Sequence, residues 1–173
     1  MTGEVHYFAY GSNMSRMRLK ARVQSAEPLG IAILTGHRLR FHKVGKDGSA
    51  KCDAMHTGTS RDAVPGVLYR MEVEELALLD RIEGRGTGYD RHTLIVTDST
   101  GQEMAAETYI ATRIDASLQP FSWYLEHVLQ GALAAGLPDD HVAEIRAVPV
   151  ARDPDAQRHA RELAIYSALP IIA

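Results

Sequence analysis

Short apolar runs bounded by turn residues dominate the first two thirds of the chain, and this pattern predicts β-strands. The predicted strands cover residues 5–9, 29–35, 39–43, 66–71, 92–98 and 103–111, and the last two form a hairpin. Residues 44–64 are polar and contain Gly45, Gly48 and Gly58, so they are expected to form a long mobile loop. A loop of this length in a compact domain often serves function.

Helical spacing replaces this pattern in residues 72–83 and in the last third of the chain. In the first of these segments, an apolar stripe of Val73, Leu76, Leu79 and Ile82 is followed by Gly84, which can end the helix. Four further helices are predicted. The first covers residues 15–22 with Ser15 as its cap, and the second covers residues 120–135 and ends before Gly136. The third runs from Asp139 or Asp140 to before Pro149, and the fourth starts at Asp153 and Pro154 and runs to about Leu169. Strands followed by helices indicate an α+β fold, in one domain of residues 1–173.

The composition is that of an ordinary globular protein, with 45% hydrophobic and 24% charged residues. A net charge of −3 gives no reason to expect nucleic acid or an anionic membrane as a partner, and the basic residues 16–22 are expected to form a solvated helix face. No apolar run approaches the ~20 residues that span a bilayer, and no secretory signal is visible. Because Cys52 is the only cysteine, a reducing compartment and a cytoplasmic location are expected.

The first candidate site is the turn from Tyr10 to Met14, between a predicted strand and a predicted helix. Backbone N–H groups at the start of a helix are unpaired, and together with the side chains of Ser12 and Asn13 they could hold a carboxylate. A plain turn capped by Ser12 or Asn13 is the competing interpretation, and on local chemistry alone it is favoured.

The second candidate is Glu83, at the end of the helix predicted over residues 72–83. The negative end of the helix dipole and packed surroundings disfavour an ionised carboxyl group there. Such a group can both take and return a proton near neutral pH. An ordinary solvated glutamate before a capping glycine is the competing interpretation.

Other catalytic arrangements find less support in the sequence. The eight histidines are scattered without the spacing of a helical zinc motif, so no metal and no other cofactor is expected. Cys52 falls in the predicted loop between Lys51 and Asp53, where a lone cysteine is expected to be incidental. Tyrosines such as Tyr89 and Tyr124 are expected to be core residues whose hydroxyl groups find partners.

Two segments carry a family resemblance that their local chemistry does not provide. Residues 7–14 resemble the signature segment of the γ-glutamylcyclotransferase family, and so do residues 79–84 followed by Gly88 and Tyr89. Tyr109, and Tyr124 ahead of residues 136–138, also match the family pattern. The resemblance covers about residues 5–148 and implies a small mixed or antiparallel β-barrel with helices packed around it.

The resemblance also implies an activity, the cyclisation of a γ-glutamyl amino acid to 5-oxoproline with release of the amino acid and without cofactor or metal. The catalytic glutamate of the family falls on Glu83. Substrate binding falls on Tyr10, Gly11, Ser12, Asn13 and Met14, with Tyr89 and Tyr124 in support. The expected partner is a small γ-glutamyl substrate, and a homodimer remains open.

Two alternatives stay open at this point. The same chemistry could act on a γ-glutamyl amine or on a biosynthetic γ-glutamyl intermediate, since residues 44–64 and the C-terminal helices are expected to line the leaving-group side and the sequence does not define that pocket. A non-catalytic module of the same fold could instead bind a small carboxylate or a protein. Glu83 argues against the module, because binding alone does not need it.

Overall fold

The computed structural model describes residues 3–167. Within this range the strands are β1 Glu4–Ala9, β2 Glu27–Thr35, β3 His37–Val44, β4 Ala50–His56, β5 Ala63–Glu72, β6 Tyr89–Asp98 and β7 Glu103–Ala111. The α-helices are α1 Arg16–Lys20, α2 Leu76–Glu83, α3 Ser122–Ala135, α4 Asp139–Arg146 and α5 Ala156–Leu163, with single 3₁₀ turns at Ser12–Met14, Val73–Glu75 and Ala164–Tyr166. No helix in the described range has the length and apolar character needed to cross a membrane.

Five strands close into a barrel in the order β1-β5-β2-β6-β7. The barrel is mixed, because β7 meets β1 in parallel through Tyr7 and Glu107 while the other neighbouring pairs are antiparallel. Fully buried side chains such as Phe8 and Leu68 belong to one core that also includes residues of the helices. The barrel with its accompanying helices confirms the predicted α+β fold.

Helix α2 ends as the sequence predicts, and this end fixes the position of Glu83. Gly84 adopts a left-handed conformation with φ of 71°, and its N–H group bonds to the carbonyl oxygens of Asp80 and Arg81. Leu76 and Leu79 are buried, but Val73 is 43% exposed because a 3₁₀ turn precedes the helix. The apolar stripe is therefore shorter than predicted.

The long loop predicted over residues 44–64 is wrong. β4 lies in this segment and pairs with β3 to form a separate two-stranded hairpin. Ala50, Cys52 and Ala54 are buried along β4, and Gly48 turns the chain with φ of 78°. The buried side of β4 consists of small residues between charged ones, which hid the strand from a search for large apolar side chains.

The predicted helices need smaller corrections at their ends. α1 stops at Lys20, and α4 follows Pro138 directly, without a cap from the side chains of Asp139 or Asp140. The α5 cap is Asp155 rather than Asp153, and its side chain accepts a bond from the Arg158 N–H group. Leu169, the predicted end of the last helix, lies outside the described residues.

A close contact between α3 and the turn after β1 holds that turn in place. A Cβ atom on Gly131 of α3 would lie 2.5 Å from the backbone of both Met14 and Ser15. Only a residue without a side chain allows this approach. Ser15 caps α1 as predicted, through a bond from the Arg18 N–H group to its hydroxyl oxygen.

Candidate active site

The turn after β1 presents unpaired backbone donors at its tight bend. Among residues 3–167, the N–H groups of Gly11, Ser12 and Asn13 bond to no protein acceptor, whereas that of Met14 bonds to the Gly11 carbonyl oxygen at 3.0 Å. Successive free N–H groups of this kind suit an anion. Met14 itself is 2% exposed, packs in the core and does not line either pocket described below, so the structure does not bring it together with the other predicted site residues.

Gly11 occupies a position with no room for a side chain. A Cβ atom there would lie 2.9 Å from the Cβ atom of Cys52 and 3.5 Å from the Tyr124 hydroxyl oxygen. The turn is thereby pressed against β4, which the sequence did not predict. This packing places the free N–H groups at a fixed position relative to the β3–β4 hairpin.

The structure brings Glu83 directly to this turn. Its Oε1 atom accepts a hydrogen bond of 2.9 Å from the Asn13 side-chain amide and one of 3.4 Å from the Arg22 guanidinium. Asn13 also donates to the Tyr7 hydroxyl oxygen at 3.0 Å. No hydrogen bond from residues 3–167 reaches the other oxygen, Oε2. One carboxylate oxygen is therefore held in place and the other is available to a ligand.

Two buried tyrosines bond to the backbone of Cys52 and so fix the part of the pocket wall that adjoins the turn. The Tyr89 hydroxyl donates to the Cys52 carbonyl oxygen at 2.6 Å, and the Tyr124 hydroxyl oxygen accepts from the Cys52 N–H group at 2.9 Å. Burial raises the pKa of both phenols well above the ordinary value. The Tyr10 hydroxyl donates to the carbonyl oxygen of Tyr109, and burial also raises the pKa of Tyr10. These hydroxyl groups stay neutral and can only donate or accept hydrogen bonds.

Cys52 lies in this wall and not in a polar loop. It is 1% exposed, and burial raises the pKa of its thiol to about 12. The thiolate is the nucleophilic form of cysteine. A neutral, buried thiol is therefore a poor nucleophile at physiological pH.

These groups line a narrow inner pocket of about 30 Å³, which is room for roughly two water molecules. Its lining comprises Tyr7, Tyr10, Gly11, Ser12, Asn13, Cys52, Glu83, Tyr89, Tyr109 and Tyr124. A space of this size suits a carboxylate group. Seven of the eight sequence-predicted site residues lie here, and Met14 is the exception.

A wider cavity of about 340 Å³, here called the vestibule, adjoins the inner pocket. The two share Ser12, Glu83, Tyr89 and Tyr124. The basic side chains of the vestibule are Arg18, Arg22, Lys43, Lys46, Lys51 and Arg158. Arg18 and Arg22 belong to the segment predicted to be a solvated face, but their side chains are only 12% and 23% exposed.

The structure also shows residues that sequence reasoning missed or misjudged. Arg22 contacts Glu83 and was missed because basic residues near a helix end are usually solvated. Asp80 lies outside both pockets and holds α2 to the barrel by accepting bonds from Arg85, Arg91 and the Tyr109 hydroxyl. Within residues 3–167, no cluster of three His, Cys, Asp or Glu side chains could hold a metal ion.

The chain is similar in sequence and in fold to several known proteins. A profile of the AIG2-like family matches residues 63–145. The chain is 30% identical over 149 residues to a mouse protein named gamma-glutamylcyclotransferase. The alignment covers 82% of this chain and 77% of the mouse protein. A solved structure named gamma-glutamyl cyclotransferase superposes with a TM-score of 0.84 at 22% identity, covering 95% of this chain and 99% of the other. A crystal structure of an uncharacterized human protein superposes with a TM-score of 0.78 at 25% identity, covering 86% and 89%.

Proposed function

Because this chain belongs to the γ-glutamylcyclotransferase family and is an enzyme of that type, we propose that it cyclises the γ-glutamyl group of a small amide to 5-oxoproline with Glu83 as the acid–base residue. One observation carries the proposal. The Glu83 carboxylate accepts a hydrogen bond from Asn13, and the turn residues with free N–H groups line the same pocket as Glu83.

The substrate enters the inner pocket by its charged end. Its α-carboxylate accepts hydrogen bonds from the N–H groups of Gly11, Ser12 and Asn13, and its volume matches the space available there. The rest of the γ-glutamyl chain extends past Glu83 into the vestibule, which holds the leaving group. In this arrangement, residues of the β3–β4 hairpin and of α5 surround the leaving group.

Glu83 carries protons from the attacking nitrogen to the departing nitrogen. Its free Oε2 atom takes a proton from the α-ammonium group, and the resulting amine nitrogen forms a bond to the γ-carbonyl carbon. Glu83 returns that proton to the departing nitrogen as the amide C–N bond breaks. It then takes the second proton that the new lactam nitrogen must lose and passes it to the released amine, so that 5-oxoproline and an ammonium group are the products. Because the nucleophile and the electrophile belong to one molecule, positioning supplies much of the rate.

The leaving group in this proposal is an amino acid. The same steps on a γ-glutamyl amine differ only in the vestibule, because the inner pocket contacts the glutamyl end alone. Family membership and the placement of Glu83 in the same pocket as the turn of residues 10–13 both argue against a module that merely binds a carboxylate.

The proposal is tested by release of 5-oxoproline from γ-glutamyl-alanine. Glu83→Gln keeps the size and hydrogen bonding of the side chain but cannot exchange the proton, so kcat should fall by roughly 10²- to 10⁴-fold with little change in KM. Glu74→Gln is the matched control, since Glu74 is an exposed carboxylate outside both pockets. A folded Glu83→Gln protein with near wild-type turnover would refute the assignment.

A further inference from the structure

Among residues 3–167, the contact that the Lys43 ammonium group makes with an electron-rich group is with the face of the Tyr89 ring. The residue is only 7% exposed, yet its ammonium group donates no hydrogen bond and forms no ion pair with the described residues. Every other basic residue of the vestibule except the exposed Lys46 has a carboxylate partner. An aromatic ring face does not use the N–H donors of an ammonium group, so those of Lys43 remain available to an anionic ligand in the vestibule.

An irregularity in β3 directs Lys43 to this position. Phe41 pairs with Cys52 and Lys43 pairs with Lys51, so His42 is an extra residue that forms a bulge. His42 turns to Asp53, with 2.8 Å between its Nε2 atom and a carboxylate oxygen. Bulges of this kind redirect side chains and are frequent beside active sites. Here the bulge places Lys43 in the vestibule wall.

The pairing of Lys43 with Lys51 sets two like charges opposite each other on neighbouring strands, which is unfavourable. The ammonium group of Lys51 is neutralised by Asp47 at 2.8 Å. Burial lowers the pKa of Lys43, and the Glu83 carboxylate opposes that effect. Lys43 therefore keeps the positive charge of this pair that no carboxylate of residues 3–167 offsets at ion-pair distance, and an anion bound in the vestibule would offset it.

Lys43 also lies where the two pockets meet. Its Nζ atom is 4.6 Å from the centre of the Tyr89 ring, and Tyr89 lines both pockets. A γ-glutamyl group held by the turn of residues 10–13 therefore directs its leaving group toward this ammonium. In a γ-glutamyl amino acid, the carboxylate of the leaving group is one carbon from the scissile nitrogen.

We propose that Lys43 is a specificity-determining residue whose ammonium group binds the carboxylate next to the scissile nitrogen of the leaving group. The enzyme thereby selects γ-glutamyl amino acids over γ-glutamyl amines and amides that lack this charge. The inference rests on the proposed function, because it assumes that the leaving group occupies the vestibule.

The test compares γ-glutamyl-alanine with γ-glutamyl-alaninamide, which has nearly the same shape but no carboxylate. A hydrogen bond to a charged group is worth enough to give wild type a preference of roughly 10- to 100-fold in kcat/KM for γ-glutamyl-alanine. Lys43→Met should abolish that preference through KM and leave the rate on the alaninamide within about twofold. Lys43→Arg should retain most of the preference.

Lys20→Met is the matched control, because it removes the same charge from a surface pair with Glu27 outside both pockets. Equal losses on both substrates in Lys43→Met, or no preference in wild type, would overturn the role of Lys43. Calorimetry on Glu83→Gln, with and without Lys43→Met, measures the same preference in binding. A binding preference that depends on Lys43 without 5-oxoproline release by wild type would sink the proposed reaction and support the carboxylate site.

Discussion

The inner pocket and the vestibule share Ser12, Glu83, Tyr89 and Tyr124, but they differ in chemistry on either side of these residues. The inner pocket is built from backbone N–H groups and from phenol groups whose hydroxyls already have partners. The vestibule is built from charged side chains of α1, the β3–β4 hairpin and α5. Glu83 lies at the boundary between the two.

This difference separates two tasks. Groups fixed by the backbone cannot move, so the inner pocket can hold one constant part of a substrate in a reactive geometry. Long charged side chains on separate elements can be exchanged without disturbing the barrel. The vestibule is therefore the region where selectivity for the leaving group can change while the chemistry stays the same.

The largest effect is expected where the inner pocket has no spare room. Gly11→Ala would place a methyl group 2.9 Å from the Cβ atom of Cys52, so the turn or β4 must shift, and this would disturb the position of the turn relative to Glu83. A displacement of about 1 Å can cost on the order of 10² in kcat/KM, and the overpacking should lower the free energy of unfolding by about 1–3 kcal/mol.

Gly3→Ala adds the same methyl group in ordinary contact with Val73 and serves as the control. Steady-state kinetics and chemical denaturation measure both quantities. Normal turnover in Gly11→Ala would show that the turn does not need its close contact with β4.

An intermediate effect is expected in the vestibule, where α5 is held by ionised groups. The Glu162 carboxylate contacts His127 and Arg18, and these contacts lower its pKa from 4.5 to about 2. Burial lowers the pKa of His127. A lowered pKa means that the unfolded state binds protons more readily, so both groups contribute stability that is lost as the pH falls.

Acidification from pH 6.5 toward pH 2 should therefore loosen α5 before the barrel. Amide hydrogen exchange across α5 and β5 measures the order of the two events. Glu162→Gln should flatten the response of α5 between about pH 4.5 and pH 2. If the amides of α5 and of the barrel lost protection at the same pH in wild type, α5 would not be a vestibule wall that unfolds separately from the barrel.

The smallest effect is expected for Cys52, although it lines the inner pocket. Because burial raises the pKa of its thiol to about 12, the group is neutral during turnover. Cys52→Ser should keep kcat within about threefold, since the bonds from Tyr89 and Tyr124 go to the backbone of residue 52. Turnover lost in a folded Cys52→Ser protein would point to a thiol mechanism instead.

Much of the inner pocket could be predicted because its residues are adjacent in the sequence or end a regular helix. The turn of residues 10–13 follows a strand, and Gly84 ends α2 immediately after Glu83. Local patterns of this kind are readable one segment at a time. The contact between the turn and Glu83 joins residues 70 positions apart, and only the family resemblance pointed to it.

The vestibule could not be predicted in the same way. β4 buries Ala50, Cys52 and Ala54, which are too small to mark a strand by hydrophobicity. The sequence Asp47-Gly48 was an available signal, because this pair is typical of hairpin turns. The position of Lys43 depends on the bulge at His42, which arises from pairing with β4 and not from a local pattern.

The most direct test of the account is a crystal structure of Glu83→Gln with γ-glutamyl-alanine bound. The account predicts the glutamyl α-carboxylate within about 3.2 Å of the N–H groups of residues 11–13. It also predicts the scissile nitrogen beside residue 83 and the alanine carboxylate at the Lys43 ammonium group. A substrate bound in the reverse direction, or in the groove between β3 and α4, would contradict the division of the site into an inner pocket and a vestibule.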